Sequence, residues 1–417
     1  MEIAIIAFLA FYLACNLGAN DVANSMGTSV GSRTISLKQA IIIAGILEFL
    51  GAVLFGQEVT STLGTKIANP ELFANNPQIL AIGMATVLLT GGIWLQIATA
   101  KGLPVSSSHA VVGAIAGFTA VSLGIQAIDW PSIGLITIGW ILTPVISAAI
   151  AALFYSIIQR WIFNQVDPVS QLQEWIPWLS TLLLTVFGII VLPELTQPLS
   201  QYLLQQMTIN IPAHDLIIIF CIASISMLSF VSWRKISQNK QIDKNTNQLQ
   251  LEKIFAQFQV LSACFVAFAH GSNDVGNAIA PLAVIFHINN FGSLTTNNMI
   301  TPFWILIIGA TGIVTGLAIW GKKVISTIGE NIISLQPSSG FCAELSTATT
   351  ILIASRLGLP VSTSHALVGA VVGIGLTQNW KSLQVSTLKN IAAAWLITVP
   401  LSAGLSAIIF SMIRIFF

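Results

Sequence analysis

The sequence predicts an all-α polytopic membrane protein made of two inverted-topology repeats with broken or re-entrant helices. Three observations carry this: a composition too apolar for a soluble domain, about 12 apolar runs of spanning length, and motif blocks that recur in one order. Of the 417 residues, 55% are hydrophobic and 7% charged, whereas soluble domains are about 25% charged. Net charge is +1, with neither a basic arm nor an acidic tail, so electrostatic binding of nucleic acid is excluded. Cys15, Cys221, Cys264 and Cys342 lack CxxC spacing and read as small packing residues.

The apolar runs fall near residues 3–22, 39–56, 79–99, 104–126, 132–157, 178–193, 214–233, 255–285, 301–320, 341–356, 360–378 and 390–416. Glu2 stands where a signal peptide would be basic, so the first run is expected to be retained and to span. Between the seventh and eighth runs lies the one strongly polar stretch, residues 234–253, read as a solvated loop or short surface helix. It separates a first repeat (1–160) and two linking helices (161–251, polar loop included) from a second repeat (252–417). With both termini outside and the central loop cytoplasmic, all of the 16 Lys and Arg except Lys66, Arg356 and Arg414 lie inside, as the positive-inside rule asks of a plasma (inner) membrane protein.

GANDVANS (18–25) returns as GSNDVGNA (271–278), GQEVTSTLG (56–64) as GKKVISTIG (321–329), and GLPVSSSHAVVGAIAG (102–117) as GLPVSTSHALVGAVVG (358–373). Three blocks in one order at nearly constant offset identify an internal duplication. Seven runs precede the second copy, an odd number, so the copies are expected to insert in opposite directions. Inverted repeats of this kind place a binding site near the midplane.

The first block sets Asn20, Asp21 and Asn24 at membrane depth, and its copy sets Asn273, Asp274 and Asn277 there. An ionised Asp at that depth costs about 2.5–3.5 kcal/mol, so a duplicated one points to an ion pathway rather than to interhelical hydrogen bonding alone. Glu48 and Glu344 add two further acids inside apolar runs, although they are not repeat partners, since Leu88 aligns with Glu344. Hard oxygen donors without thiolates suit an alkali cation, and a buried carboxyl can instead carry a proton.

In the third block, Gly-Leu-Pro ends a helix and three hydroxyls open the next: Ser106, Ser107 and Ser108, then Ser362, Thr363 and Ser364. A helix N-terminus offers free N–H groups and a positive dipole end, which suits an oxyanion. Ordinary capping would explain one such cluster; two converging by inversion favour a site. His109 and His365 close the clusters as structural or anion-contacting imidazoles, while His270 and His287 read as packing or hydrogen-bonding residues. A serine hydrolase using Ser106 or Ser362 with His109 or His365 is the remote alternative; neighbours at a helix start rarely have that geometry.

At these blocks the chain resembles the inorganic phosphate transporter family of PiT type, over both repeats; residues 161–251 are family-like only in position. Gly276 replaces the Ala of the family's second signature. The resemblance implies a sodium/phosphate symporter, usually a homodimer, with no cofactor besides sodium as co-substrate. It makes Ser106–Ser108 and Ser362–Ser364 the phosphate cradle, and Glu48 and Glu344 transport-essential acids. Asp21 and Asp274, with their Asn neighbours, become the cation-coordinating elements, with sodium at Asp21, Asn24, Asp274 and Asn277. The alternative is a proton-coupled phosphate permease or a sulfate permease on the same scaffold.

Overall fold

The computed structural model describes residues 2–102, 105–207, 212–238, 244–292, 299–328 and 335–415. Among these the architecture is all-helical, with α1 (Ile3–Gly31), α2 (Leu37–Phe55), α3 (Gln57–Thr65), α4 (Pro77–Ala100), α5 (Ser107–Leu123), α6 (Trp130–Ile158) and α7 (Pro168–Ile190) in the first part. Then come α8 (Leu192–Met207), α9 (Ala213–Gln238), α10 (Lys244–Phe291), α11 (Phe303–Ile328), α12 (Pro337–Arg356), α13 (Thr363–Gln378) and α14 (Val385–Arg414).

Every apolar run overlaps a helix, though 178–193 straddles α7 and α8, and nine of the described helices, not twelve, are both long and apolar enough to cross a membrane. The runs that drop out belong to α5, α12 and α13. At 17 and 16 residues, α5 and α13 extend about 25 Å, short of a hydrocarbon core of about 30 Å. α12 has the length but carries the polar sequence CAELSTATT. The polar centre is also more helical than expected: α9 runs to Gln238 and α10 begins at Lys244, with 239–243 outside the described residues. At 48 residues, α10 would extend about 72 Å, so its polar start projects beyond any bilayer.

The acid-amide blocks lie within uninterrupted helices, α1 and α10. The breaks come at the third block. α4 is capped by Lys101 and α12 by Leu357, each followed by a glycine with positive φ, Gly102 (65°) and Gly358 (64°). After α12 the Leu359 N–H returns to Ala354 O at 2.9 Å and the Gly358 N–H to Ser355 O at 3.0 Å, a left-handed stop that satisfies the last carbonyls. Leu103 and Pro104 lie outside the described residues. The middle block differs between copies: residues 57–65 form a separate α3, whereas the counterpart continues α11 as far as Ile328.

Packing is reciprocal. α1 lies against α11 and α2 against α10, while α5 packs on α14 and α13 on α6. Gly51 faces the Phe268 carbonyl and Gly271 the Glu48 carbonyl so closely that a Cβ on either would overlap it. Small residues thus bring the acid-bearing helices into backbone contact, as membrane helices need without a hydrophobic drive between them. Ser402 and Ser406 donate to the carbonyls of Ala110 and Ala114 at 2.6 and 2.8 Å, fastening α14 to α5. The outer face of α6 is exposed and apolar at Ile138, Ile141, Leu142 and Val145, as a lipid-facing helix requires.

Candidate ion and oxyanion site

α1, α2 and α10 bring Asp21, Glu48 and Asp274 together around one buried histidine. One ligand atom each of Asp21, His270 and Asp274 lie within 4.8 Å of one another. The His270 ring stands 3.2 Å (Nδ1) from Glu48 Oε1 and 2.9 Å (Nε2) from Asp274 Oδ2, at ion-pair range though off the line of an ideal hydrogen bond. A carboxylate oxygen only accepts, so a nitrogen this close to one carries hydrogen. With both nitrogens so placed, the ring stands between Glu48 and Asp274, close to Asp21. Sequence reasoning treated His270 as a packing or hydrogen-bonding residue; the signal that would have placed it in the site is its position four residues before Asp274, on the same helix face.

Asn24 Nδ2 donates to Asp21 Oδ1 and Asn277 Nδ2 to Asp274 Oδ1, both at 3.2 Å, so the two blocks share one internal geometry. With its amide turned so that oxygen and nitrogen exchange places, Asn20 donates to Asp21 Oδ1 (3.2 Å) and Val105 O (3.3 Å) and accepts from Thr99 (3.0 Å). Asn273 donates to Ser355 Oγ and Leu359 O, both at 3.1 Å, tying α10 to the stop of α12. Several buried acceptors remain without a hydrogen-bond partner: Asp21 Oδ2, Glu48 Oε2, Asn273 Oδ1 and Asn277 Oδ1. Orphaned buried oxygens are costly, and hard oxygens of this kind fit an alkali cation.

The hydroxyl clusters cap their helices as expected. Ser106 Oγ accepts from the His109 N–H at 3.4 Å and Ser362 Oγ from the His365 N–H at 3.3 Å. Ser106 and Ser108 pair at 3.1 Å, Ser362 and Ser364 at 2.9 Å. The middle hydroxyl of each cluster reaches the acid-amide block of α10: Thr363 donates to Asp274 Oδ2 at 3.0 Å, and Ser107 accepts from Asn277 at 3.4 Å while sitting against Asp21. The serines do not engage the imidazoles as nucleophile and base. His109 Nδ1 and His365 Nδ1 face the carbonyls of Trp395 (3.3 Å) and Trp140 (3.2 Å) instead, which removes the geometric basis for a hydrolase.

Glu344 does not join the other acids. It accepts from Thr28, from Ser29 at 2.6 Å, and from Ser262 at 2.8 Å, with the Gln259 amide at 3.5 Å. Thr28 lies about two turns, roughly 10 Å, along α1 from Asp21. The four acids therefore form two groups. Gln259 also accepts from Ser32 and Thr34 at 2.8 and 2.6 Å, carrying the Glu344 cluster to the turn between α1 and α2. Ser262 and Gln259 sit in an apolar run without a motif, so nothing in the sequence singles them out.

Fold and site define an all-helical integral membrane protein whose buried polar interior is made for small inorganic ions rather than covalent catalysis. Comparison with known proteins gives the family. Residues 17–406 match the Phosphate transporter family model. The chain is similar to a Haemophilus influenzae protein assigned as a phosphate permease, 40% identical over 99% of this chain and 97% of the relative. It is also similar to inorganic phosphate transporter 2-1, chloroplastic, of Arabidopsis thaliana, 37% identical over 95% of this chain and 70% of the relative. A solved structure of a sodium-dependent phosphate transporter superposes with a TM-score of 0.88 at 35% identity, covering 100% of both chains. The chain belongs to the Phosphate transporter family, a family of transporters and not of enzymes.

Proposed function

We propose that this protein is a secondary active transporter that imports inorganic phosphate together with sodium by alternating access of two inverted repeats. One observation carries the reading: both hydroxyl-capped helix starts converge on the acid-amide block of α10, among acceptor oxygens that lack partners. Sodium at Asp21, Asn24, Asp274 and Asn277 supplies the positive charge that lets an oxyanion approach three acids. Phosphate then lies against the α5 and α13 N-termini, held by Ser106, Ser107, Ser108, Ser362, Thr363 and Ser364. Glu344, among donors from α1 and α10, is the second coupling acid. Each ion shields the other at a depth where neither is stable alone.

Helix directions support the inversion. Contacts advance together along α10 and the run from α2 through Gly56 into α3: Glu48 with Gly271, Gly56 with Val275, Val59 with Gly276. α2 and α10 therefore point the same way. Gly56 touches Leu306 and Gly45 touches Val314, so α2 and α11 point opposite ways. Ala14 meets Gly312, Cys15 meets Gly316 and Val22 meets Gly321, which aligns α1 with α11. α10 consequently runs against α1. The repeats are residues 1–160 and 252–417, with 161–251 as linking helices and a cytoplasmic loop. Both termini lie outside the plasma membrane, and the protein works as a homodimer.

Uptake of radiolabelled phosphate into proteoliposomes tests the reading. A sodium gradient should drive concentrative uptake, and unlabelled sulfate should not compete. Uptake driven by a pH step and indifferent to sodium would replace sodium with protons. Equal competition by sulfate would refute phosphate selectivity.

A further inference from the structure

α5 lies along α14 and α13 along α6, so each hydroxyl-capped helix leans on a helix from the other half of the chain. The two pairs come together at the rings of His109, His365, Trp140 and Trp395. His109 lies on Trp140 with ring centroids 3.8 Å apart, and His365 on Trp395 at 3.6 Å. The two imidazoles meet edge to face at 4.7 Å. Their polar contacts cross over: His109 Nδ1 stands 3.3 Å from Trp395 O, and His365 Nδ1 3.2 Å from Trp140 O. A carbonyl only accepts, so each Nδ1 carries the hydrogen. Farther out, α6 and α14 stand apart around a cavity of about 560 Å³ bordered by the same four residues, so the rings join the pairs where these helices do not.

The linear order prepares this clasp. WILTPVIS (140–147) in α6 returns as WLITVPLS (395–402) in α14, a recurrence that supplies one tryptophan for each histidine. Pro144 has no N–H, so Trp140 O lacks its helical donor four residues on, and the His365 imidazole takes that place. The Trp140 indole donates in turn to Pro360 O at 3.0 Å. Trp140 thus holds the chain on both sides of Ser362, Thr363 and Ser364. His109 and His365 also carry the backbone N–H groups that Ser106 and Ser362 cap, at 3.4 and 3.3 Å, so a shift of either ring is felt at a hydroxyl cluster within one turn.

We infer that His109 and His365 are positioning residues for the transported oxyanion: their crossed clasp on Trp395 and Trp140 sets the spacing between the α5 and α13 starts. This rests on the reading, given above, that phosphate lies against those starts. Spacing matters because a hydroxyl holds an acceptor oxygen only within about 2.5–3.0 Å, and two clusters on separate helices meet one small anion only if the helices keep their distance.

The test is the initial rate of phosphate uptake by the full-length protein in proteoliposomes. His109→Phe and His365→Phe keep a ring for the stack and lose the Nδ1 hydrogen; His109→Asn and His365→Asn set an amide nitrogen near the Nδ1 position. The Phe variants should raise KM at least tenfold with the maximal rate within twofold of the unaltered protein, and the Asn variants should return KM to within threefold. Should His365→Phe fail to fold, having left Trp140 O unpaired, His109→Phe carries the test, because Val399 keeps an N–H for the Trp395 carbonyl. Ser108→Ala combined with Ser364→Ala separates the two readings. If it leaves KM unchanged, phosphate does not lie at the cradle and the inference falls with that reading; if it raises KM and the Phe variants do not, the inference alone falls. It is overturned equally by Asn variants no better than Phe, or by a maximal rate that drops with the folded fraction while KM stays put, as a purely structural role requires.

Discussion

His270→Gln leaves a polar side chain among the acids but withdraws the group that touches Glu48 and Asp274 at once. The neutral amide has its two hydrogens on one nitrogen, which cannot reach Glu48 on α2 and Asp274 on α10 as the two separate ring nitrogens do. The native ring lies 3.2 and 2.9 Å from its two partners at 0% exposure. Removing one partner of such a buried pair costs about 3–5 kcal/mol, on the order of a hundredfold to several thousandfold in the folding equilibrium. Sodium bound at the same oxygens offsets part of this, since a ligand at 100 times its Kd adds about 2.7 kcal/mol. The assay is thermal unfolding of purified protein, titrating sodium chloride against choline chloride at constant ionic strength. The variant should unfold at clearly lower temperature in choline, and the gap should narrow as sodium rises. Equal midpoints in choline, or an identical sodium increment for both proteins, would refute the view that His270 holds Glu48 and Asp274 together.

Thr363→Val removes the 3.0 Å hydrogen bond to Asp274. A bond to a charged group is worth about 1.5–3 kcal/mol, so phosphate uptake kinetics should show KM raised roughly tenfold or more with helix content unchanged by circular dichroism. Glu344→Gln sets an amide among hydroxyls that donate to a carboxylate, and sodium-driven uptake should fall by about tenfold or more while the midpoint of unfolding moves little. Gly271→Ala places a Cβ on the Glu48 carbonyl; the forced separation of α2 and α10 should cost about 1–3 kcal/mol, read as a lower unfolding midpoint. Arg356→Met deletes the guanidinium contacts to Ile190 O at 3.2 and 2.6 Å and the stacking on Phe55 at 4.7 Å. Proteolysis at the break between α7 and α8 should quicken.

The local features of the site were legible because each rests on contiguous residues. Ser106 and Ser362 cap helices since a hydroxyl next to a helix start reaches an N–H three residues on, and Gly102 and Gly358 stop helices since they adopt positive φ without strain. Hydropathy located most of the helices, missing α3 and α8 as separate elements, but overcounted spans, because it registers apolar content and not length: α5 and α13 are apolar yet short. The partition of the acids was not legible. Whether Glu48 joins Asp274 while Glu344 turns to Ser29 and Ser262 depends on which faces of α1, α2, α10 and α12 meet.

By itself the sequence determined that the chain is helical and membrane-embedded, that it is duplicated, and which blocks hold acids, amides and hydroxyls, since composition and repetition are properties of the linear order. The tertiary structure alone decided that His270 stands between Glu48 and Asp274, that Thr363 and Ser107 converge on α10, and that two imidazoles border a cavity between α6 and α14. Those contacts join residues tens to hundreds of positions apart, and helix packing, which depends on backbone approach at residues such as Gly51 and Gly271, brings them within reach.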